Sequence, residues 1–211
     1  ISLARFYPER TIISGGLSKW CGAGGWRLGT MAFPPQLRWL QTAIAAAASE
    51  TYTSVSAPIQ YAAVTAFQGS KEIEDYLAHT QRILHALGQE ITRRLQGAGV
   101  GMHAPVGAFY LWLDCSDFQA RLESRGITNS TSLCETLLAD TGVAILPGAA
   151  FERPEAELTA RLAYVDFDGA EAISHSQELG LDQTMSSESL QECCGRVLDG
   201  IDALCRWLNA D

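Results

Sequence analysis

The sequence predicts an α/β chain in two parts. Three observations carry that expectation. Up to Gly69, short strand-forming runs and a glycine-rich loop give way to helical stretches rich in alanine. One long helical pattern follows, from Ser70 to about Leu95. Beyond it the elements shorten, and apolar residues alternate with polar ones as they do in half-buried strands. The expected division is residues 1–85 and residues 86–211.

Taken in order, residues 1–13 read as a loop ending in the short apolar run Thr11-Ile12-Ile13. After the glycine loop, Trp26 to Phe33 forms a second expected strand, closed by Pro34-Pro35. Prolines suit the entry to a helix, because the first turn does not need their missing N–H. Leu37, Leu40, Ile44 and Ala48 then fall at helical spacing. Pro58 opens a second helix, with Ile59, Ala62, Ala63, Ala66 and Phe67 on one face and Gly69 as its stop. Ser70 is the expected N-cap of the long helix; acidic residues lie in its first turn and Arg93 and Arg94 near its end. At roughly 38 Å, such a helix often bridges two subdomains.

The second part opens with Gly107 to Asp114, rich in strand formers. Ser132 with Glu135 reads as the capping box of a short helix ended by Gly142. Val143 to Leu146 is expected as a buried strand. From Leu158 to Asp166, Leu158, Ala160, Leu162 and Tyr164 share one face and Thr159, Arg161, Ala163 and Val165 the other. Residues 168–187 read as a polar surface loop, and a final helix from about Ser189 to Leu208 begins with the pair Ser189 and Glu192.

The net charge of −9, with no local basic cluster, argues against nucleic acid or an anionic membrane as partner. Six cysteines without Cys-x-x-Cys pairs point to reduced thiols and a cytoplasmic setting. The N-terminus is not a basic-then-apolar leader, and a first residue of Ile rather than Met is read as a fragment or a processed product. The adjacent Cys193 and Cys194 read as small buried apolar residues within a helix. His79, His85, His103 and His175 lack metal-ligand spacing, and no metal is expected.

Chemistry concentrates between Ser14 and Gly29. Lys19 sits in a loop crowded with glycine just past a strand, and Arg27 follows it. A lysine beside another cation can have its ammonium pKa lowered and act as a nucleophilic amine, the requirement for a Schiff-base lysine. Two phosphate-binding motifs fail. Gly-x-x-x-x-Gly-Lys-Ser/Thr is absent, since Lys19 lies between Ser18 and Trp20, and Gly-x-Gly-x-x-Gly breaks where Arg27 replaces the third glycine.

Ser18-Lys19 followed by Gly25-Trp26-Arg27-Leu28-Gly29 closely resembles the lysine loop of class I and II aminotransferases, fold-type I enzymes that use pyridoxal 5′-phosphate. Three later stretches resemble the same family in the same order: Pro105 to Tyr110, Thr141 to Phe151, and Leu158 to Tyr164. The resemblance implies the C-terminal part of the large cofactor-binding domain followed by the α+β small domain. It implies that Lys19 holds the cofactor and serves as base, and that Arg27 grips the cofactor phosphate with Ser18. Arg161 would bind the substrate α-carboxylate. Gly16 stands where many members carry a phosphate-binding serine or threonine, and Ser14 is the expected compensation.

The implied reaction moves an amino group from an L-amino acid to a 2-oxo acid, in a cytoplasmic homodimer. A lyase, decarboxylase or synthase of the same fold is the alternative within the family, and a truncated, non-catalytic dimerising module the alternative outside it. In the family the residues that stack on the cofactor ring and pair with its nitrogen precede the lysine. The 211-residue chain by itself is therefore expected to be catalytically incompetent.

Overall fold

A computed structural model describes residues 2–210. The chain divides into two compact units, residues 1–77 and residues 78–211. In the first, strands β1 (Ile13–Gly16) and β2 (Gly29–Ala32) pair antiparallel, with Gly16 opposite Gly29 nearest the connecting loop. Helices α1 (Arg38–Thr51) and α2 (Ala57–Gln68) follow. The expected entry by Pro34-Pro35 is a 3₁₀ turn, Pro35–Leu37, ahead of α1. Gly69 ends α2 with a φ of 74°, in the left-handed range where an L side chain is strained. The core of this unit is small: Leu17, Ala23, Leu28 and Ala63 are buried, with Trp20, Val55 and Ile59 packed against them. Helix α1 buries none of its residues.

Helix α3 (Lys71–Gly97) begins at the end of that unit and runs on into the second. Ser70 caps it, its Oγ accepting from the Ile73 N–H at 3.3 Å. The second unit is built on a three-stranded antiparallel sheet in the order β3 (Tyr110–Asp114), β5 (Thr159–Ala163), β4 (Leu146–Pro147). Around it stand α4 (Gln119–Ser124), α5 (Ser130–Thr141), α6 (Gly169–Leu179) and α7 (Ser187–Asn209). The alternation read from the sequence holds in part around β5: Leu158, Ala160, Leu162 and Tyr164 are all buried, but so is Thr159 on the other face. The first four join Leu111 and Leu113 of β3, Ile83, Leu87, Ile91 and Leu95 of α3, and Leu198, Ile201 and Leu204 of α7 in one hydrophobic core.

Four expectations need correction. The stretch 168–187 is not a loop throughout, because Asp168 caps α6, accepting from the Ala170 and Glu171 N–H groups at 2.9 and 3.0 Å. Ser176 of that helix is fully buried and accepts from Arg82 while hydrogen-bonding His79, both on α3. Val143 to Leu146 is not a buried strand; only Leu146–Pro147 pairs with β5, and Leu146 is exposed. The capping box of α5 is Asn129 with Ser132, since the Asn129 side chain accepts from the Ser132 N–H at 2.8 Å. Ser186, not Ser189, caps α7, and the Ser189 hydroxyl instead bonds His175 at 2.6 Å.

Candidate functional site

The loop that carries Lys19 is held at both ends by buried apolar residues. Leu17 is fully buried; its N–H donates to the Leu28 carbonyl at 3.4 Å and its own carbonyl accepts from Ala23 at 3.1 Å. With Leu17, Ala23 and Leu28 committed to the core, Ser18 to Gly22 is left as a turn at the surface, and Lys19 is exposed on it. A 3₁₀ turn at Gly24–Trp26 returns the chain towards β2. Arg27 ends that turn in the left-handed conformation, φ 54°, and its Nη1 donates to the Gly24 carbonyl at 2.8 Å.

Gly15, Gly16, Ser18, Lys19, Arg27 and Gly29 all line one cleft of about 570 Å³. Gly16 has a steric reason to be glycine: a Cβ there meets the Leu28 carbonyl oxygen at 2.9 Å, closer than real Cβ contacts. The residue that the family resemblance would place there is thus blocked by the partner strand. Ser14 pairs with Met31 in the hairpin and is not among the residues lining the cleft. Two cationic side chains, a hydroxyl and a bare backbone at one cleft form a donor set suited to a phosphate dianion. Arg27 spends one of its five N–H donors on Gly24. The chemistry of these residues fits the phosphate of pyridoxal 5′-phosphate.

Arg161 belongs to the other unit. It sits in the central strand β5, opposite Trp112 of β3 and Leu146 of β4, on the face away from the core. Its guanidinium carbon lies 4.4 Å from the centre of the Tyr110 ring and 4.4 Å from that of Phe151. Phe151 in turn meets Trp112 edge-on at 5.6 Å. Ring faces attract a guanidinium without using its N–H donors, so the aromatic surroundings orient the fork and leave it able to grip a carboxylate. Among the described residues, no carboxylate forms an ion pair with Arg161.

Tyr110 and Phe151 lie within the motif stretches, yet neither has a role assigned from sequence. For Tyr110 and Trp112 a signal existed: two aromatics at alternate positions on the strand face opposite Leu111 and Leu113. For Phe151 none did, because a 3₁₀ turn, Gly148–Phe151, brings it to Arg161. The segment before β3 is held by Tyr164, whose hydroxyl donates to the Ala108 carbonyl at 3.2 Å; burial raises the pKa of this phenol. The four histidines take no part in either cluster, and no group of three or more His, Cys, Asp or Glu among the described residues is arranged to hold a metal.

A family model described as aminotransferase class I and II matches residues 1–165. The asparagine–oxo-acid transaminase of Streptococcus mutans is 29% identical over 170 residues, covering 76% of this chain and 40% of that protein. The aspartate aminotransferase of Geobacillus stearothermophilus is 29% identical over 168 residues, covering 78% and 40%. This chain thus spans about two-fifths of the length of the curated relatives it matches. Among solved structures, a tetra mutant of Thermus thermophilus aspartate aminotransferase superposes with a TM-score of 0.71 at 22% identity, over 98% of this chain and 46% of that one. An aminotransferase from Mycobacterium tuberculosis superposes with a TM-score of 0.68 at 25% identity, over 100% and 45%. These neighbours show the fold to be that of fold-type I aminotransferases.

Proposed function

The chain belongs to the class I and II aminotransferase family, and we propose that it carries the cofactor lysine and the substrate arginine of an enzyme that moves an amino group from an L-amino acid to a 2-oxo acid. The observation that carries this reading is the convergence of Ser18, Lys19 and Arg27 on one cleft. In this reading residues 1–85 end the cofactor-binding domain and residues 86–211 form the small domain.

Pyridoxal 5′-phosphate, when bound, supplies an aldehyde for the amine and a ring that accepts the electron pair of the substrate Cα. Lys19 Nζ would hold the cofactor, and the same amine would serve as the base that takes the substrate Cα proton and returns it one bond away. The Arg27 guanidinium and Ser18 Oγ would bind the phosphate, without Ser14, which does not line the cleft. Gly16 admits the phosphate close to the backbone. Arg161 binds the substrate α-carboxylate with its paired N–H donors, its plane set by Tyr110 and Phe151. This chain spans about two-fifths of the length of its curated relatives, so turnover is proposed of the assembled enzyme. The assembled enzyme is proposed to be a cytoplasmic homodimer; among the described residues, no helix is long and apolar enough to cross a membrane.

The chain contains only two lysines. Lys71 is bound to Asp75 at 2.9 Å, an ion pair that raises its pKa. Borohydride reduction of the full-length enzyme after incubation with pyridoxal 5′-phosphate, followed by peptide mass mapping, is expected to place the pyridoxyl group on Lys19. An adduct only on a lysine other than Lys19, or none at all, overturns the proposal. Product analysis with amino acid and oxo acid on the assembled enzyme then separates amino transfer from lyase chemistry.

A further inference from the structure

Cys193 and Cys194 were expected to lie on a regular helix, where adjacent side chains diverge and do not face each other. The structure breaks α7 at this point. Cys194 has φ −129° and ψ 19°, outside helical values, and the two Sγ atoms stand 3.8 Å apart. A disulfide needs about 2.05 Å between its sulfurs, so the break has already brought the pair most of the way. Cys193 is 6% exposed and Cys194 1%, yet both line an open cleft of about 590 Å³. A small reagent therefore has an approach to them.

The cleft has a charge. Asp168, Glu171, Glu192 and Asp199 line it, against the single cation Arg196. Arg196 is itself paired with Asp166, which leaves the acidic groups dominant. Such a mouth attracts cations and repels anions at low salt.

We propose that Cys193 and Cys194 form a vicinal dithiol site that closes to a disulfide on reaction with low-mass cationic disulfides. In the first step the Cys193 thiolate attacks one sulfur of the reagent. The reagent S–S bond breaks, and its leaving thiolate takes up the proton that Cys193 gave up. Cys194 then attacks the Cys193 sulfur and displaces the second half of the reagent as a thiol. Two protein thiols are oxidised and one disulfide is reduced to two thiols, with every hydrogen accounted for. Cys193 acts first because it is the more accessible. Burial and the nearby Glu171 raise both thiol pKa values, so the exchange runs faster as pH rises.

Adjacent residues hold their Cα atoms about 3.8 Å apart, under the usual disulfide range of about 4.4–6.8 Å. The ring is strained, and strained disulfides are the readily reduced ones. The bond therefore behaves as a reversible modification of α7. That helix carries Val197, Leu198, Ile201 and Leu204 into the core of the second unit.

The tryptic peptide Leu162–Arg196 contains these two cysteines and no other, so one mass reads the site. The protein is treated with cystamine, quenched, denatured and alkylated with iodoacetamide. The expected peptide has lost two hydrogens and both alkylation sites, and dithiothreitol restores both. The anionic 3,3′-dithiodipropionate is expected to close the pair more slowly at low salt, with the gap narrowing in molar salt. In Cys194→Ser the cystamine half remains attached to Cys193. A lasting adduct on Cys193 with Cys194 still alkylated in the unsubstituted protein overturns the site. So does alkylation of both while the half-buried Cys21 reacts. Equal rates with the two reagents at low salt overturn the cationic class.

Discussion

Gly88→Ala sets two effects of opposite sign against each other. Gly88 lies inside α3, where alanine is favoured over glycine by about 1 kcal/mol on helix propensity alone. In the structure, a Cβ at this position meets Pro105 Cγ at 2.9 Å, Tyr164 Oη at 2.9 Å and Tyr164 Cζ at 3.3 Å. Ordinary contacts begin near 3.4 Å, so a ring edge and a phenol must both retreat. Overpacking of this kind costs about 1–3 kcal/mol. Moving Tyr164 also stretches its hydrogen bond to Ala108, already 3.2 Å, worth about 1 kcal/mol. Packing outweighs propensity, and the net expectation is destabilisation by about 1–3 kcal/mol. Equilibrium unfolding in urea reads this as a midpoint lowered by about 1 M, for a slope near 2 kcal/mol/M. Gly88→Ala combined with Tyr164→Phe, which removes the hydroxyl, is expected to recover part of the loss. A midpoint that rises in Gly88→Ala refutes the reasoning, because it means that the loop before β3 does not press on α3.

Three further outcomes are expected. Glu90 is buried between Arg93 and Arg94; the hydrogen bonds from Arg93, then Arg94, hold its pKa down from 4.5 to about 2 against the opposing cost of burial. A depressed carboxyl stabilises the fold fully above its unfolded value near 4.5 and loses that contribution as pH falls through about 2. The shift sets a ceiling of about 3 kcal/mol; since Arg93 is 67% exposed and screened, Glu90→Gln should cost about 1–2 kcal/mol at pH 7. Urea midpoints of the two proteins should converge between pH 4.5 and the acid limit, and a gap independent of pH sinks the assignment. Thr159→Val removes a buried hydroxyl that has no hydrogen-bond partner among the described residues, so a change between neutral and a gain of about 1 kcal/mol is expected in thermal unfolding. Gly16→Ser should push β1 from β2 at a cost of about 1–3 kcal/mol, seen as faster amide exchange at Leu17; unchanged exchange refutes the steric role of Gly16.

The sequence by itself determined what depends on neighbours along the chain. The order of the helices, the Ser70 cap, the stop at Gly69 and the buried face of β5 follow from periods of 3.6 and 2 and from local capping chemistry. The four motif stretches carried the family, since each is a short run read in order. What the sequence missed locally was competition between equivalent caps: Asn129 and Ser186 won over the neighbouring serines, and Asp168 started a helix inside a polar stretch. Tertiary structure alone decided the contacts between residues far apart in the chain. It set Arg161 between Tyr110 and Phe151, put the Leu28 carbonyl where a side chain on Gly16 would go, and broke α7 so that two sulfurs face each other. Sequence periodicity reports which face of an element is buried; which distant side chain covers that face is settled only when the elements pack.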